Sequence, residues 1–495
     1  MRRNEEFMNL SIGEIAGACG GRLVIQESVG SVVTEDSLVD GVVLDSRQVT
    51  AGGVFVATVG ERVDGHSFIP QVFEKGVMLV VTEKTPEQVE KECGAPADRW
   101  DSYLLVEDSF QALKDMAEYY RSKLSLPIVG ITGSVGKTST KEFIAGVLAQ
   151  KYSVLKTEGN FNNEVGVPLT LLRIREEHGA AVVEMGISDF GEMHRLSKMV
   201  RPNICVITNI GQCHLENLKS REGILKAKTE IFDYMAEDGE VCLNGEDDML
   251  RTVTQVHGRP THFFGLGDFD GEEVYASEIV SKGLWGSDAV LHMPGEQTGL
   301  AVQIPLPGRH MVINGAAAAC VARLLGLNRE QIAQGLGKIQ PVGGRNNLLR
   351  LPDYTVIDDC YNANPVSMRA ALDLLAMADT CKVVVLGDMF ELGDNSDALH
   401  AGVGAYAVTS GADRILCVGE NSRHMYQGAL EAAKAAKDGA DECSQILYFA
   451  DKDSLLKAMK EQRDALLPKG CTILVKASHG MAFAEVVEYL KIIAQ

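Results

Sequence analysis

Pro127-Ile-Val-Gly-Ile-Thr-Gly-Ser-Val-Gly-Lys-Thr-Ser-Thr-Lys141 decides how the rest of the chain is read. A short apolar strand runs into a Gly-x-x-Gly-Lys-Thr turn made of Gly133, Ser134, Val135, Gly136, Lys137 and Thr138. An amphipathic helix then opens through Ser139, with Phe143, Ile144, Val147 and Leu148 on one face. Backbone N–H groups at such a turn, together with the positive end of the helix, form an anion site suited to polyphosphate. Lys137 can reach terminal phosphates, and Thr138 can place its hydroxyl on Mg²⁺. The usual phosphate-binding loop has a Gly five residues before its second Gly, and here that position is Ile131. The loop is therefore a shortened form, and the strand–turn–helix context selects phosphate binding over a purely structural turn.

Around this loop stand 495 residues, enough for about three domains. Apolar content of 45% is ordinary for a globular protein and supports several cores. The charge balance, 47 basic against 68 acidic residues or −21 net, argues against nonspecific binding to nucleic acid or anionic membranes. A local basic cleft for an anionic ligand remains compatible with it. No run of about eighteen apolar residues occurs, so no membrane insertion is expected. The first residues, Met1-Arg-Arg-Asn-Glu-Glu-Phe7, lack the apolar region of a signal peptide. Eleven cysteines, scattered and without a Cys-x-x-Cys pair, read as reduced structural thiols rather than a disulfide frame or zinc site. The expected compartment is the cytoplasm.

Residues 1–105 mix short strands with Gly-rich turns: Val42-Val-Leu44, Val54-Phe-Val-Ala57 and Val77-Met-Leu-Val-Val81 are strand-like. A helical stretch around Ala112 to Leu124 leads into the phosphate-binding strand. Residues 106–340 then alternate strands and helices, with Ala181-Val-Val-Glu184 and Ile204-Cys-Val-Ile-Thr208 as buried parallel strands. Residues 267–306 are Gly-rich and strand-like, an expected antiparallel addition to that sheet. From 341 to 495 the pattern restarts in Thr355-Val-Ile357, Val383-Val-Val-Leu386, Ile415-Leu-Cys-Val418, Ile446-Leu-Tyr-Phe449 and Thr472-Ile-Leu-Val475. The predicted architecture is α/β in three domains. A small α/β N-terminal domain precedes a central phosphate-loop domain with a parallel sheet, and a Rossmann-like C-terminal domain follows.

Polar residues concentrate at strand ends, where open α/β sheets bind ligands. Glu184 ends an apolar strand beside the loop and suits Mg²⁺, a hard cation that prefers oxygen; a plain surface acid is the alternative. His214 follows the next strand, where a metal or phosphate role competes with that of an ordinary surface histidine. Lys226 and Lys228 lie two apart on a helix and so point in different directions; taken alone, both read as solvated lysines. Cys213 has no visible activating base and reads as packing. Further on, Asp358-Asp-Cys-Tyr-Asn-Ala-Asn-Pro365, Leu386-Gly-Asp-Met-Phe-Glu-Leu-Gly393 and Lys476-Ala-Ser-His-Gly480 each follow a strand. One such tip could be a structural turn, but three on one sheet suggest a working edge.

Taken together these motifs resemble the ATP-dependent Mur ligases of bacterial cell-wall synthesis, over nearly the whole chain. Asp45-Ser-Arg47, Gly53-Val-Phe-Val56 and Asp64-Gly-His66 carry the N-terminal part of the resemblance. Gly159-Asn-Phe-Asn-Asn-Glu-Val-Gly166 and Asp358–Pro365 are similar to the branch that adds D-alanyl-D-alanine to a UDP-N-acetylmuramoyl-tripeptide. They differ from the branch that adds the third peptide residue, whose Asp-Asn-Pro-Arg motif has no counterpart here. The resemblance implies an ADP-forming ligase using ATP and Mg²⁺ in peptidoglycan synthesis, acting as a monomer. It implies that Ser46, Arg47, Asn160 and Asn163 meet the uridine-linked substrate. Gly133 to Ser139, Asn314, Arg345, Asp358, Tyr361 and Asn362 would bind ATP. Lys137, Glu184, His214 and Lys228 would be catalytic, with Thr138, Glu184 and His214 serving the metal. Lys228 falls where related ligases carry a carbamylated lysine.

Two departures stand out. The family's His-Asn-x-x-Asn appears as His310-Met-Val-Ile-Asn314, and its Lys-Gly-Ser-Arg as Lys476-Ala-Ser-His479. The implied chemistry transfers the γ-phosphoryl group of ATP to a peptide carboxylate, after which an amine displaces phosphate. Positioning and charge neutralisation dominate such transfer, and closure of the central and C-terminal domains over ATP is expected. Rival readings are another amide ligase of the superfamily and a nucleotide-regulated binding protein that has lost catalysis.

Overall fold

The computed structural model describes residues 8–26, 33–60, 63–94, 100, 102–211, 215–267, 274–341, 347–390, 392–436 and 445–494. Two compact units emerge: 1–277 with 290–302 and 312–337, and 278–289 with 303–311 and 338–495. Each is described in turn.

The first unit begins with a five-stranded sheet of β1 (Arg22–Ile25), β2 (Val42–Val43), β3 (Val54–Val56), β4 (Leu79–Thr82) and β5 (Ser102–Leu105). Their order is β1-β5-β4-β3-β2, with β1 antiparallel to β5 and the remaining pairs parallel. Val54, Phe55 and Val56 are all buried, as a parallel strand covered on both faces requires. Trp100 packs edge-on against Tyr103 in this sheet's second core. Helix Ser109–Ser122 carries Leu113, Met116, Ala117 and Tyr120 into a continuous core shared with the next sheet. Its Tyr120 hydroxyl donates to Ile174 O at 2.6 Å.

The second sheet comprises β6 (Ile128–Thr132), β7 (Val154–Lys156), β8 (Ala180–Glu184), β9 (Ile204–Ile207) and β10 (Glu240–Asn244). A two-stranded ribbon, β11 (Gln255–Val256) and β12 (Arg259–Pro260), precedes β13 (His262–Leu266), β14 (Val274–Ser281), β15 (Ser287–His292) and β16 (Leu300–Ile304). The nine-stranded order is β16-β15-β14-β13-β10-β9-β6-β8-β7. Every pair from β7 to β13 is parallel, and β14 joins β13 in parallel too. The strand-like 267–306 region thus extends the sheet, and it does so through a parallel pair. β6 lies between β8 and β9, so the chain leaves it in one direction and returns on the other side. That arrangement makes the carboxyl end of β6 a topological switch point, where α/β sheets bind ligands.

In the second unit β17 (Asn347–Arg350), β18 (Thr355–Asp358), β19 (Lys382–Gly387), β20 (Arg414–Val418), β21 (Gln445–Phe449) and β22 (Thr472–Lys476) are ordered β17-β18-β22-β19-β20-β21. Only β17 runs antiparallel, as an edge; the other five form a Rossmann-like parallel sheet. Leu284 is buried with Ile357, Met368 and Leu375 of this unit. Beside it, the Arg350 guanidinium lies 3.4 Å from the centre of the Trp285 ring.

Eight cysteines among the described residues are free. Cys320 Sγ sits 3.4 Å from Cys242 Sγ as a thiol hydrogen bond, in keeping with the expected reduced state. No described helix is long and apolar enough to cross a membrane.

Candidate functional site

The strand Ile128–Thr132 is fully buried, and the chain must turn sharply out of the sheet before helix Lys137–Leu148 can begin. Gly133 and Gly136 make that turn at φ 148° and 82°, which side chains with a Cβ rarely adopt. A Cβ on Gly133 would also overlap the hydroxyl of Thr208. The loop is braced from the end of β9. Ser134 N and Val135 N donate to Asn209 Oδ1 at 3.1 and 2.9 Å, and Thr208 Oγ1 donates to Val135 O at 2.6 Å. Gly211 N in turn donates to Ser134 Oγ at 2.9 Å. Two strand tips therefore share one hydrogen-bonded loop, with its helix dipole directed outward. Lys137 folds back over it, its Nζ donating to Gly133 O at 2.8 Å.

Glu184 at the end of β8 is 2% exposed and faces the first turn of that helix. Thr138 Oγ1 donates to its Oε2 at 3.0 Å, and Asn162 Nδ2 donates to its Oε1 at 2.9 Å. Its backbone N–H donates to Thr157 Oγ1 at 2.9 Å. A buried carboxylate and a hydroxyl converging beside a phosphate loop form a hard-oxygen donor set, which fits Mg²⁺. Among the described residues no group of three His, Cys, Asp or Glu side chains forms a metal site by itself. His214, expected to contribute, and its neighbour Cys213 lie outside the described residues, as does Arg345.

Beside this constellation opens a pocket lined by Lys137, Asn162, Asn163, Glu164, Ile187 and Ser188, among others. Asn163 is doubly used, since its Oδ1 also accepts from Val165 N at 3.2 Å and Gly166 N at 2.9 Å, bracing the turn that leads into helix Gly166–Leu171. Asn160 is exposed, and its carbonyl accepts from Asn162 N at 2.7 Å. Thr140 Oγ1, on the buried side of the phosphate-loop helix, donates to Asn314 Oδ1 at 3.0 Å. Ser139 is half-buried on the same turn.

The two lysines on helix Arg221–Thr229 part company: Lys226 is exposed, whereas Lys228 is 1% exposed. Burial corrects the solvated reading of Lys228, because a helix turns the side chains of residues two apart to different sides, here one to the core and one to water. In the turn after β2, Ser46 is buried and its carbonyl accepts from Lys75 Nζ at 2.7 Å. Arg47 reaches solvent and grips Asp45 at 2.7 Å, holding that carboxyl down at about 2.

The second unit has its own polar edge. Lys476, buried at the end of β22, bonds Asp359 Oδ2 at 2.6 Å and Asn362 O at 2.8 Å. It pins the turn after β18, leaving Tyr361 and Asn362 exposed at its tip and Asp358 half-buried at its base. The Tyr361 and His479 rings are 5.8 Å apart. Cys360 is no nucleophile: burial, with help from Asp358, pushes its thiol up to about 12. Asp388 accepts from Ser422 N at 2.7 Å and Ser422 Oγ at 2.6 Å, tying the turn after β19 to the start of the helix that follows β20.

Sequence reasoning did not single out Lys141, Thr157, Asn162 or Asn209, which position Glu184 and the loop. The i+4 spacing of Lys137 and Lys141 hinted at the first, since it puts both on one helix side. The other three act across the sheet, and no local pattern marks them.

Comparison with known proteins gives three family matches along the chain. They are the Mur ligase family catalytic domain over residues 38–121, the Mur ligase middle domain over 131–322, and the Mur ligase glutamate ligase domain over 344–479. The UDP-N-acetylmuramoyl-tripeptide–D-alanyl-D-alanine ligase of Bacillus subtilis is 36% identical over 468 residues, covering 92% of this chain and 94% of that protein. A crystal structure of MurF from Acinetobacter baumannii superposes with a TM-score of 0.84 at 30% identity, covering 98% of this chain and 100% of the other. MurF from Thermotoga maritima in complex with ADP gives 0.72 at 28% identity, covering 92% and 97%.

Proposed function

The chain belongs to the Mur ligase family, and from that membership we propose how its residues carry out the reaction. It is an ATP-dependent ligase that joins D-alanyl-D-alanine to UDP-N-acetylmuramoyl-tripeptide, yielding the pentapeptide precursor of peptidoglycan. The observation that carries the mechanism is the convergence of Lys137, Thr138 and Glu184 on one phosphate-binding turn.

In the proposed sequence the terminal carboxylate of the tripeptide attacks the γ-phosphorus of ATP. A carboxyl O–P bond forms while the bond from the γ-phosphorus to the oxygen of ADP breaks. The resulting acyl phosphate is attacked at carbon by the amine of D-alanyl-D-alanine. The tetrahedral intermediate expels inorganic phosphate, and the nitrogen releases its surplus proton. Lys137 turns from Gly133 O to the transferring phosphoryl group, and the loop amides hold the chain of phosphates. Thr138 and Glu184, with His214 as a further ligand, would hold Mg²⁺, which would supply charge neutralisation. Asn162 keeps the Glu184 carboxylate aimed, and Lys228 is assigned a catalytic role. Ser139, Asn314, Arg345, Asp358, Tyr361 and Asn362 are assigned to the nucleotide, and Ser46, Arg47, Asn160 and Asn163 to the uridine-linked substrate. We place the enzyme in the cytoplasm as a monomer, with domain boundaries near residues 105 and 340.

Incubating the purified chain with ATP, Mg²⁺, UDP-N-acetylmuramoyl-tripeptide and D-alanyl-D-alanine tests this directly. ADP release requiring both peptide substrates, with a product heavier by one dipeptide less water, is the expected result. Running the assay with meso-diaminopimelate and L-lysine tripeptides identifies the preferred third residue. ADP release indifferent to D-alanyl-D-alanine would sink the reading.

A further inference from the structure

Lys141 is one turn beyond Lys137 on the phosphate-loop helix, yet its side chain is 2% exposed. Its ammonium donates to Thr157 O at 2.6 Å and lies 3.3 Å from Glu142 Oε1 and 3.8 Å from Glu184 Oε2. Glu142 is itself paired with Lys156 at the surface. Four charges of alternating sign, Glu184, Lys141, Glu142 and Lys156, thus run from the buried carboxylate to solvent. A buried lysine is costly unless it balances a charge, and here one of the charges it faces is a carboxylate of the metal donor set. With Lys137 also beside the loop, the two carboxylates Glu184 and Glu142 face three ammonium groups, Lys137, Lys141 and Lys156. A divalent cation arriving alone meets a site with no net attraction, whereas triphosphate brings the missing negative charge.

We propose that Lys141 is a positioning and charge-balancing residue that makes the Glu184–Thr138 site bind its divalent cation only together with the nucleotide. This rests on the reading of that site as the Mg²⁺–ATP site. The arrangement holds Glu184 in place while denying bare metal a foothold. Thr157 links the two groups, since its carbonyl accepts from Lys141 and its hydroxyl accepts from Glu184 N. A lysine serving packing alone predicts the opposite sign from the charge-balancing role: its loss would loosen Glu184 and weaken metal binding.

Titration of the full-length protein with Mn²⁺, followed by electron paramagnetic resonance, distinguishes the two. Mn²⁺ shares the preference for oxygen donors. Wild-type protein is expected to hold Mn²⁺ at least about tenfold more weakly alone than with a non-hydrolysable ATP analogue. Lys141→Gln keeps a donor for Thr157 O and removes the charge. It is expected to bind Mn²⁺ alone about tenfold more tightly than wild type, while Lys141→Arg behaves as wild type. Unchanged or weaker Mn²⁺ binding by folded Lys141→Gln overturns the proposal. So does wild-type protein that binds Mn²⁺ equally well with and without the analogue, a result that requires no variant to fold. If Glu184→Gln leaves Mn²⁺–analogue binding intact, the underlying site assignment fails instead.

Discussion

At Gly133 a methyl group would overlap the Thr208 hydroxyl, and the φ of 148° adds strain for any residue with a Cβ. Gly133→Ala is expected to cost about 1–3 kcal/mol of local stability by overpacking and to weaken nucleotide binding, read by calorimetric titration with an ATP analogue. Lys137→Ala removes a charge without touching the core. It is expected to lower ligation by at least about 10²-fold while circular dichroism stays that of wild type; retained ligation would refute the assigned role. Asp64 is a different kind of residue. Burial raises its carboxyl, but Lys84 at 2.7 Å and the buried His66 outweigh that and hold it at about 2. Since the ordinary value is 3.8, the unfolded chain takes up this proton first as pH falls. The stabilisation is therefore whole above 3.8 and is lost toward 2. Asp64→Asn should flatten the denaturant midpoint over that range.

Among the elements, the helices Ser396–Thr409 and Ser422–Ala435 cross where two glycines remove side chains. A Cβ on Gly428 would run into the Ala401 carbonyl, and one on Gly404 into that of Met425. Gly428→Ala should lower stability by about 1–3 kcal/mol, measured as a shift in urea midpoint. Strands buried on both faces were the most legible in the sequence. Runs such as Val383–Leu386 and Ile415–Val418 lie within β19 and β20, because continuous β-branched and leucine runs between turn residues have few other uses. The edge strand Asn347–Arg350 was not seen, since its half-exposed Asn-Leu-Leu-Arg lacks that signature. Strand Ser102–Leu105 was hidden by the domain boundary drawn at its end. At the site, the loop and Glu184 were readable because both combine an apolar strand with a chemistry-bearing tip. Lys141 and Asn162 were not, because their meaning lies in distances across the sheet rather than along the chain.

For the whole molecule, the boundary proposed near residue 340 does not follow the packing everywhere. Leu284 belongs to the core of the second unit, with Ile357 and Met368. Leu284→Ala in the full chain should therefore destabilise that unit by about 2–5 kcal/mol. A fragment of 341–495 should melt below the same unit in the intact protein, as followed by calorimetry. The chain's two tryptophans give a means to watch this. Trp100 is 1% exposed in the first unit, while Trp285, under Arg350, is 39% exposed in the second. Each unit thus carries a single indole, one sealed from solvent and one reachable by a small quencher such as acrylamide. Without any label, the red-shifted quenchable emission reports on one unit and the shielded emission on the other, and a single denaturation series resolves their separate melting.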